Sequence, residues 1–208
     1  MFAEQSVVYI VMGVFKNKKF YIAVITLVSV FLSLYAFVDT SPAQRTLSNI
    51  GLYYPRFFIT WGLFAGISVF LNLHLLAEKL KFKSKIFNIM TCGSFAVFLT
   101  VFINGPAQWQ VIIHWSSGMT FGILSFLCTM ALFWIKFCKC RSYFPYMTLC
   151  LLAAVFTVAT IYFLGLTALC QIVILIVCQL CLLTANVIER KSYNVANAGG
   201  NVEAVGVD

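Results

Sequence analysis

Residues 143–188 read YFPYMTLCLLAAVFTVATIYFLGLTALCQIVILIVCQLCLLTANVI, without one charged side chain. As a single helix the stretch would be ~69 Å long at ~1.5 Å per residue, more than twice the ~30 Å hydrocarbon core of a bilayer. It must therefore turn and cross twice. The expected break is Leu164–Thr167, because Gly165 reaches the left-handed backbone region cheaply and so ends a helix. Two spans follow, at 143–164 and 168–188.

Four further apolar runs precede this pair, at 20–38, 53–77, 86–103 and 110–135. They are continuous and do not alternate with a period of two, as ~10-residue membrane strands would, so they read as helices. The chain has 208 residues, 62% hydrophobic and 10% charged. A soluble domain is roughly 45–50% apolar and about 25% charged. With a mean hydropathy of +0.97, the composition excludes a cytosolic enzyme, a secreted disulfide scaffold and a disordered chain. The expected fold is an all-α integral membrane protein, a bundle of six transmembrane helices over 20–188, both termini cytoplasmic.

Residues 1–19 form an N-terminal segment. Within it Ser6–Phe15 is too short to cross and is expected to lie as an interfacial helix or to extend the first span. Glu4 replaces a basic flank and no small-residue cleavage site follows, which argues against a cleaved signal peptide. Residues 189–208 turn to Asn, Ala, Gly and Val without period and are expected to be a disordered cytoplasmic tail.

Lys and Arg favour the cytoplasmic side of a membrane. Alternating the loops places 12 of the 14 basic residues on one side and only Arg45 and Arg56 on the other. The formal net charge of +8 is thus a topological bias and not a nucleic-acid footprint. Lys79, Lys81, Lys83 and Lys85 form the densest patch. It reads as an orientation signal, with anionic-lipid contact as the second reading.

None of the eight cysteines falls in an outer loop. Six lie inside spans as small hydrophobes. Cys138 and Cys140 flank basic residues at a membrane boundary, the setting of palmitoylated thiols or of two inert ones. No ligand set for a metal is available. Bis-histidine haem is excluded by depth, since His74 and His114 fall at opposite ends of their spans, and no cofactor is expected. There is no Asn-x-Ser/Thr sequon.

Polar residues collect on the outer side: Asp39, Thr40, Ser41, Arg45, Ser48, Asn49 and Arg56 around the first loop, then Asn104, Gln108, Gln110 and His114. Such groups are costly near a bilayer, so a shared outward-facing vestibule is expected to bind a lipid head group or a partner's outer segment through Asp39, Ser48, Asn49, Arg56, Asn104, Gln108 and His114. His114 reads either as a general acid/base or as a structural tie between outer loops and bundle. His74 is expected to pair with Glu78 one turn on. Gly62-x-x-x-Gly66 and Gly118-x-x-x-Gly122 are expected to serve internal helix packing. Pro55 and Pro145 are expected to open spans.

Ser48-Asn49-Ile50-Gly51, Pro55, Phe102 to Gln108, and His114-Trp115-Ser116-Ser117-Gly118 with Phe121 together resemble the Frag/DRAM/Sfk family of six-span membrane proteins, over about residues 20–190. The resemblance implies lipid remodelling of GPI anchors, membrane-lipid organisation or autophagy modulation. Two positions depart from the family pattern. Asn49 stands where an acidic residue is frequent, which weakens acid/base chemistry in that loop. Ser117-Gly118 replaces Gly-Ala, which preserves small size.

The expected function is therefore lipid binding or membrane-lipid organisation without catalysis, with membrane lipids or another membrane protein as partners. The alternative is a lipid acyltransferase or hydrolase using His114 as general base with Ser48 or Asp39. A small transporter or channel is a third reading, set back by the lack of paired interior charges.

Overall fold

In the computed structural model the chain is described at residues 18–39, 51–103, 105, 107–165 and 167–199, with side chains throughout except at 37–39, 139 and 188–199. Six long helices make up this part: α1 (Lys18–Asp39), α2 (Pro55–Lys79), α3 (Lys85–Leu99), α4 (Gln108–Lys139), α5 (Phe144–Leu164) and α6 (Ala168–Gly199). A 3-10 turn, Thr100–Phe102, extends α3, and another, Arg141–Tyr143, precedes α5. All six helices carry a segment long and apolar enough to cross a membrane, with mean hydropathy from 1.6 to 2.5. The protein is an all-α, multi-pass membrane protein.

The turns follow from local chemistry. Gly165 adopts φ +76° and its N–H donates to Ile161 O at 3.0 Å, ending α5. Pro55 and Pro145 sit in the first turns of α2 and α5, where a missing N–H leaves no helical bond unmade. After α2, Lys81 N donates to Glu78 O and Phe82 N to Ala77 O, a Schellman closure with Lys81 at φ +52°. Ser84 then caps α3 by accepting from Phe87 N. The α6 backbone stays helical through Gly199, where the sequence suggested an unstructured tail from residue 189; no proline or glycine interrupts it before Gly199.

Helices α2 and α6 are central. Over their apolar windows 56% and 44% of residues are buried, against 22–28% for the other four. α2 packs on α1, α3, α4 and α6, while α5 packs chiefly on α6. Lys18 Nζ pairs with Glu78 Oε2 at 2.6 Å, placing the start of α1 beside the end of α2. The bundle thus has a basic end, with Lys18 and the α2–α3 and α4–α5 turns, and an opposite end carrying His114 and Arg56.

The packing expectation holds for Gly62-x-x-x-Gly66 and is corrected for Gly118-x-x-x-Gly122 and for His74. Gly62 and Gly66 do admit a close approach, but what enters is a pair of rings: a Cβ at Gly66 would lie 2.2 Å from Phe98 and one at Gly62 would lie 2.8 Å from Phe102. Gly118 and Gly122 take no part in internal packing, since a Cβ at either would meet nothing within 4 Å. His74 does not pair with Glu78. Its Nδ1 donates to Phe70 O at 3.2 Å, its ring lies on Phe70, and Glu78 is held by Lys18.

Candidate functional site

At the His114 end, α4 is sewn to the 3-10 turn that follows α3. His114 Nδ1 donates to Val101 O at 2.6 Å, which places the proton on Nδ1 and leaves Nε2 as the unprotonated nitrogen. Its ring packs on Phe58 of α2 with centroids 5.7 Å apart, and the residue is 6% exposed. One turn further on, Ser117 Oγ and Thr100 Oγ1 share a hydrogen bond of 2.5 Å. Gln110 caps the helix start, accepting from Ala107 N at 3.2 Å.

Arg56 stands at the N-terminus of α2, exposed, in an open cleft of about 310 Å³ lined by Tyr54, Pro55, Arg56 and Phe57. Among the described residues no side chain caps this helix start, and the macrodipole favours an anion there. Gln108 is exposed and His114 does not line the cleft. Ser48, Asn49 and Asn104 lie outside the described residues, as does the side chain of Asp39. Of the seven vestibule residues, Arg56, Gln108 and His114 therefore have described side chains, and the structure does not bring His114 and Arg56 into one pocket.

The most developed polar feature lies inside the bundle, along α1, α2 and α6. Thr26 Oγ1 accepts from Ser68 Oγ at 2.9 Å and from Asn72 Nδ2 at 2.8 Å, while donating to Ile22 O. Asn186 Nδ2 donates to Asn72 Oδ1 at 3.0 Å and to Asn72 O at 3.1 Å. Gln179 bridges the same helices, accepting from Ser29 Oγ and donating to Ala65 O. Trp61 Nε1 donates to Ser33 Oγ, which in turn donates to Ser29 O. Thr26, Ser29, Ser33, Ser68, Asn72 and Gln179 are fully buried. Asn186 Oδ1 is the one seam atom among the described residues left without a partner. The seam lies in the spans and not in the loops where the candidate site residues fall, yet its signal is in the sequence: Thr26, Ser29 and Ser33 share one face of α1, as do Trp61, Ser68 and Asn72 on α2 and Gln179 and Asn186 on α6.

At the basic end the four lysines separate. Lys81, Lys83 and Lys85 are exposed, whereas Lys79 folds back so that Nζ donates to Asn186 O. In the α4–α5 turn Cys138 is exposed, and Cys140 Sγ lies 2.9 Å from Ser142 Oγ. Hydrogen bonding from the Ser142 hydroxyl and its backbone N–H holds the Cys140 thiol below its ordinary range, helped by the nearby Lys136 ammonium.

No family model, no curated protein and no solved structure matches the chain. The likeness to the Frag/DRAM/Sfk family rests on the short motifs alone.

Proposed function

We propose that the protein binds and organises membrane lipid without catalysis, with the basic end facing the cytoplasm and a head group held at Arg56. The orientation follows from the 12-to-2 partition of basic residues. The observation that carries the lipid reading is the open cleft at the start of α2. The cleft offers an apolar wall of Tyr54, Pro55 and Phe57, and the exposed Arg56 at the same helix start supplies a guanidinium of the kind that pairs with a phosphate ester. The lipid-handling activities of the family that the His114 and Ser48 motifs resemble point the same way. Native mass spectrometry in mild detergent tests it, with phosphatidylglycerol and phosphatidylcholine as probes. Wild type should carry discrete phosphatidylglycerol adducts that Arg56→Gln loses while remaining folded. Equal occupancy in both proteins would overturn the assignment.

The second reading, a lipid hydrolase or acyltransferase, is favoured by the unprotonated Nε2 of His114. Against it stands the burial of that ring on Phe58. Turnover of a fluorescent phospholipid, abolished in His114→Ala at normal stability, would establish it.

A further inference from the structure

The α4–α5 connection is short. α4 ends at Lys139, Cys140 alone is extended, and the 3-10 turn Arg141–Tyr143 leads straight into α5. The two thiols of Cys138-x-Cys140 are therefore held on a short fixed turn between two spans, Cys138 exposed and Cys140 half-buried, rather than on a loose loop. Their surroundings differ. Cys140 Sγ faces the Ser142 hydroxyl, and the Lys136 ammonium is parked 5.2 Å over the ring of Tyr143, keeping a cation beside the turn. Three aromatic rings run from this turn along the exposed surface: Trp134 on Phe137 at 6.0 Å, and Phe137 on Phe144 at 5.9 Å, across both helices. Trp134 and Phe144 are 58% and 53% exposed, an apolar track on the two helices that the Cys140 turn joins.

We infer that Cys140 is a site of S-acylation, taking a long-chain acyl group from an acyl-coenzyme A, with the chain lying along Trp134, Phe137 and Phe144. In the step the Cys140 thiolate attacks the thioester carbonyl and a new C–S bond forms. The bond to coenzyme A breaks, and the departing thiolate takes up the proton that Cys140 has lost. Ser142 is a positioning residue that stabilises the thiolate before attack. The inference shares the cytoplasmic placement of the basic end with the proposed function, but it does not depend on the Arg56 cleft.

The buried thiols fare worse as nucleophiles. Cys150 and Cys178 approach to 3.9 Å between α5 and α6, but both are buried inside the bundle among apolar side chains, the environment of inert structural cysteines.

The experiment is metabolic labelling of the full chain with an alkyne analogue of palmitate, read after click conjugation with and without neutral hydroxylamine. Fluorescence-detected size exclusion monitors folding of each variant. Wild type should carry hydroxylamine-sensitive label. Cys140→Ser should lose at least tenfold, Cys138→Ser less than twofold, and Ser142→Ala, which keeps the nucleophile, severalfold. Absence of label from folded wild type would overturn the inference, as would label that survives Cys140→Ser or that disappears with Cys138→Ser alone.

Discussion

Asn186 Nδ2 donates to both the side-chain and the backbone oxygen of Asn72, at 3.0 and 3.1 Å, and so joins the two central helices through one amide. Asn72 in turn spends its own Nδ2 on Thr26 Oγ1 and Ser68 O, extending the link to α1. In lipid there is no hydrophobic driving force between helices, and packing and such bonds set which faces meet. The seam thus specifies register: sliding α1 by one turn would strand Thr26, Ser29 and Ser33 together. A double-mutant cycle of Asn72→Ala and Asn186→Ala should give a coupling of about 0.6–1.7 kcal/mol in reversible denaturation from detergent. Additive single effects would show that the pair contributes nothing to α2–α6 association.

How far the fold was readable follows from where its signals lie. Six spans and the reversal at Gly165 stand in the sequence because membrane thickness and glycine's backbone freedom are local constraints. Partner choice is not local. Ser68 and Asn72 look like ordinary tolerated polar residues until α1 and α6 are laid beside them. Gly118-x-x-x-Gly122 and Gly62-x-x-x-Gly66 are indistinguishable as strings, yet only the second receives rings. Of the candidate site, helical periodicity does not tell that the His114 ring turns inward onto Phe58 while Arg56 stays exposed.

The two glycine pairs make opposite predictions. Phe98 is buried among Phe95, Phe102 and Phe121, so it has little room to yield to a Cβ at Gly66. Gly66→Ala should destabilise the bundle by about 1–3 kcal/mol through overpacking. Gly122→Ala, on an open face, should fall within about 0.5 kcal/mol of wild type. Paired thermal unfolding curves in one detergent separate them. Comparable losses would mean that the Gly122 face is also packed.

Lys81 holds a left-handed conformation, φ +52°, that a side chain makes costly. Lys81→Gly should therefore stabilise the protein by about 0.5–1 kcal/mol, even though glycine is elsewhere the weaker choice. The same variant removes one of the three exposed lysines of the 79–85 run, so binding to anionic vesicles should fall modestly at low salt while the unfolding midpoint rises. A fall in both would show that the lysine side chain contributes more to the turn than its backbone strain costs.

The environment of Cys140 has a pH signature. Alkylation by a neutral reagent follows the thiolate fraction, so its rate should reach half-maximum below the ordinary thiol value of 9.0. Below that midpoint the thiol is protonated and the rate falls with each step down in pH. Ser142→Ala removes the strongest stabilisation of the thiolate and should move the midpoint upward, slowing alkylation at pH 7 severalfold. Mass mapping of the labelled peptide in a Cys138→Ser background isolates the one thiol. An unchanged midpoint in Ser142→Ala would remove that serine from the account.

His114 decides between a tie and a base. Its Nδ1 proton is committed to Val101 O and its ring to Phe58, so His114→Ala would leave a carbonyl unpaired and a ring-sized gap where α2, the Thr100–Phe102 turn and α4 meet. Loss of the buried hydrogen bond alone should cost about 1–3 kcal/mol, and His114→Asn should recover part of it if the amide reaches Val101. Because His114 does not line the Arg56 cleft, phosphatidylglycerol occupancy per folded molecule should stay at the wild-type level. Unfolding midpoints and adduct counts measured on the same preparations test both halves together. Unchanged stability with lost occupancy would move His114 from the scaffold into the binding site and reopen the question of what its Nε2 does.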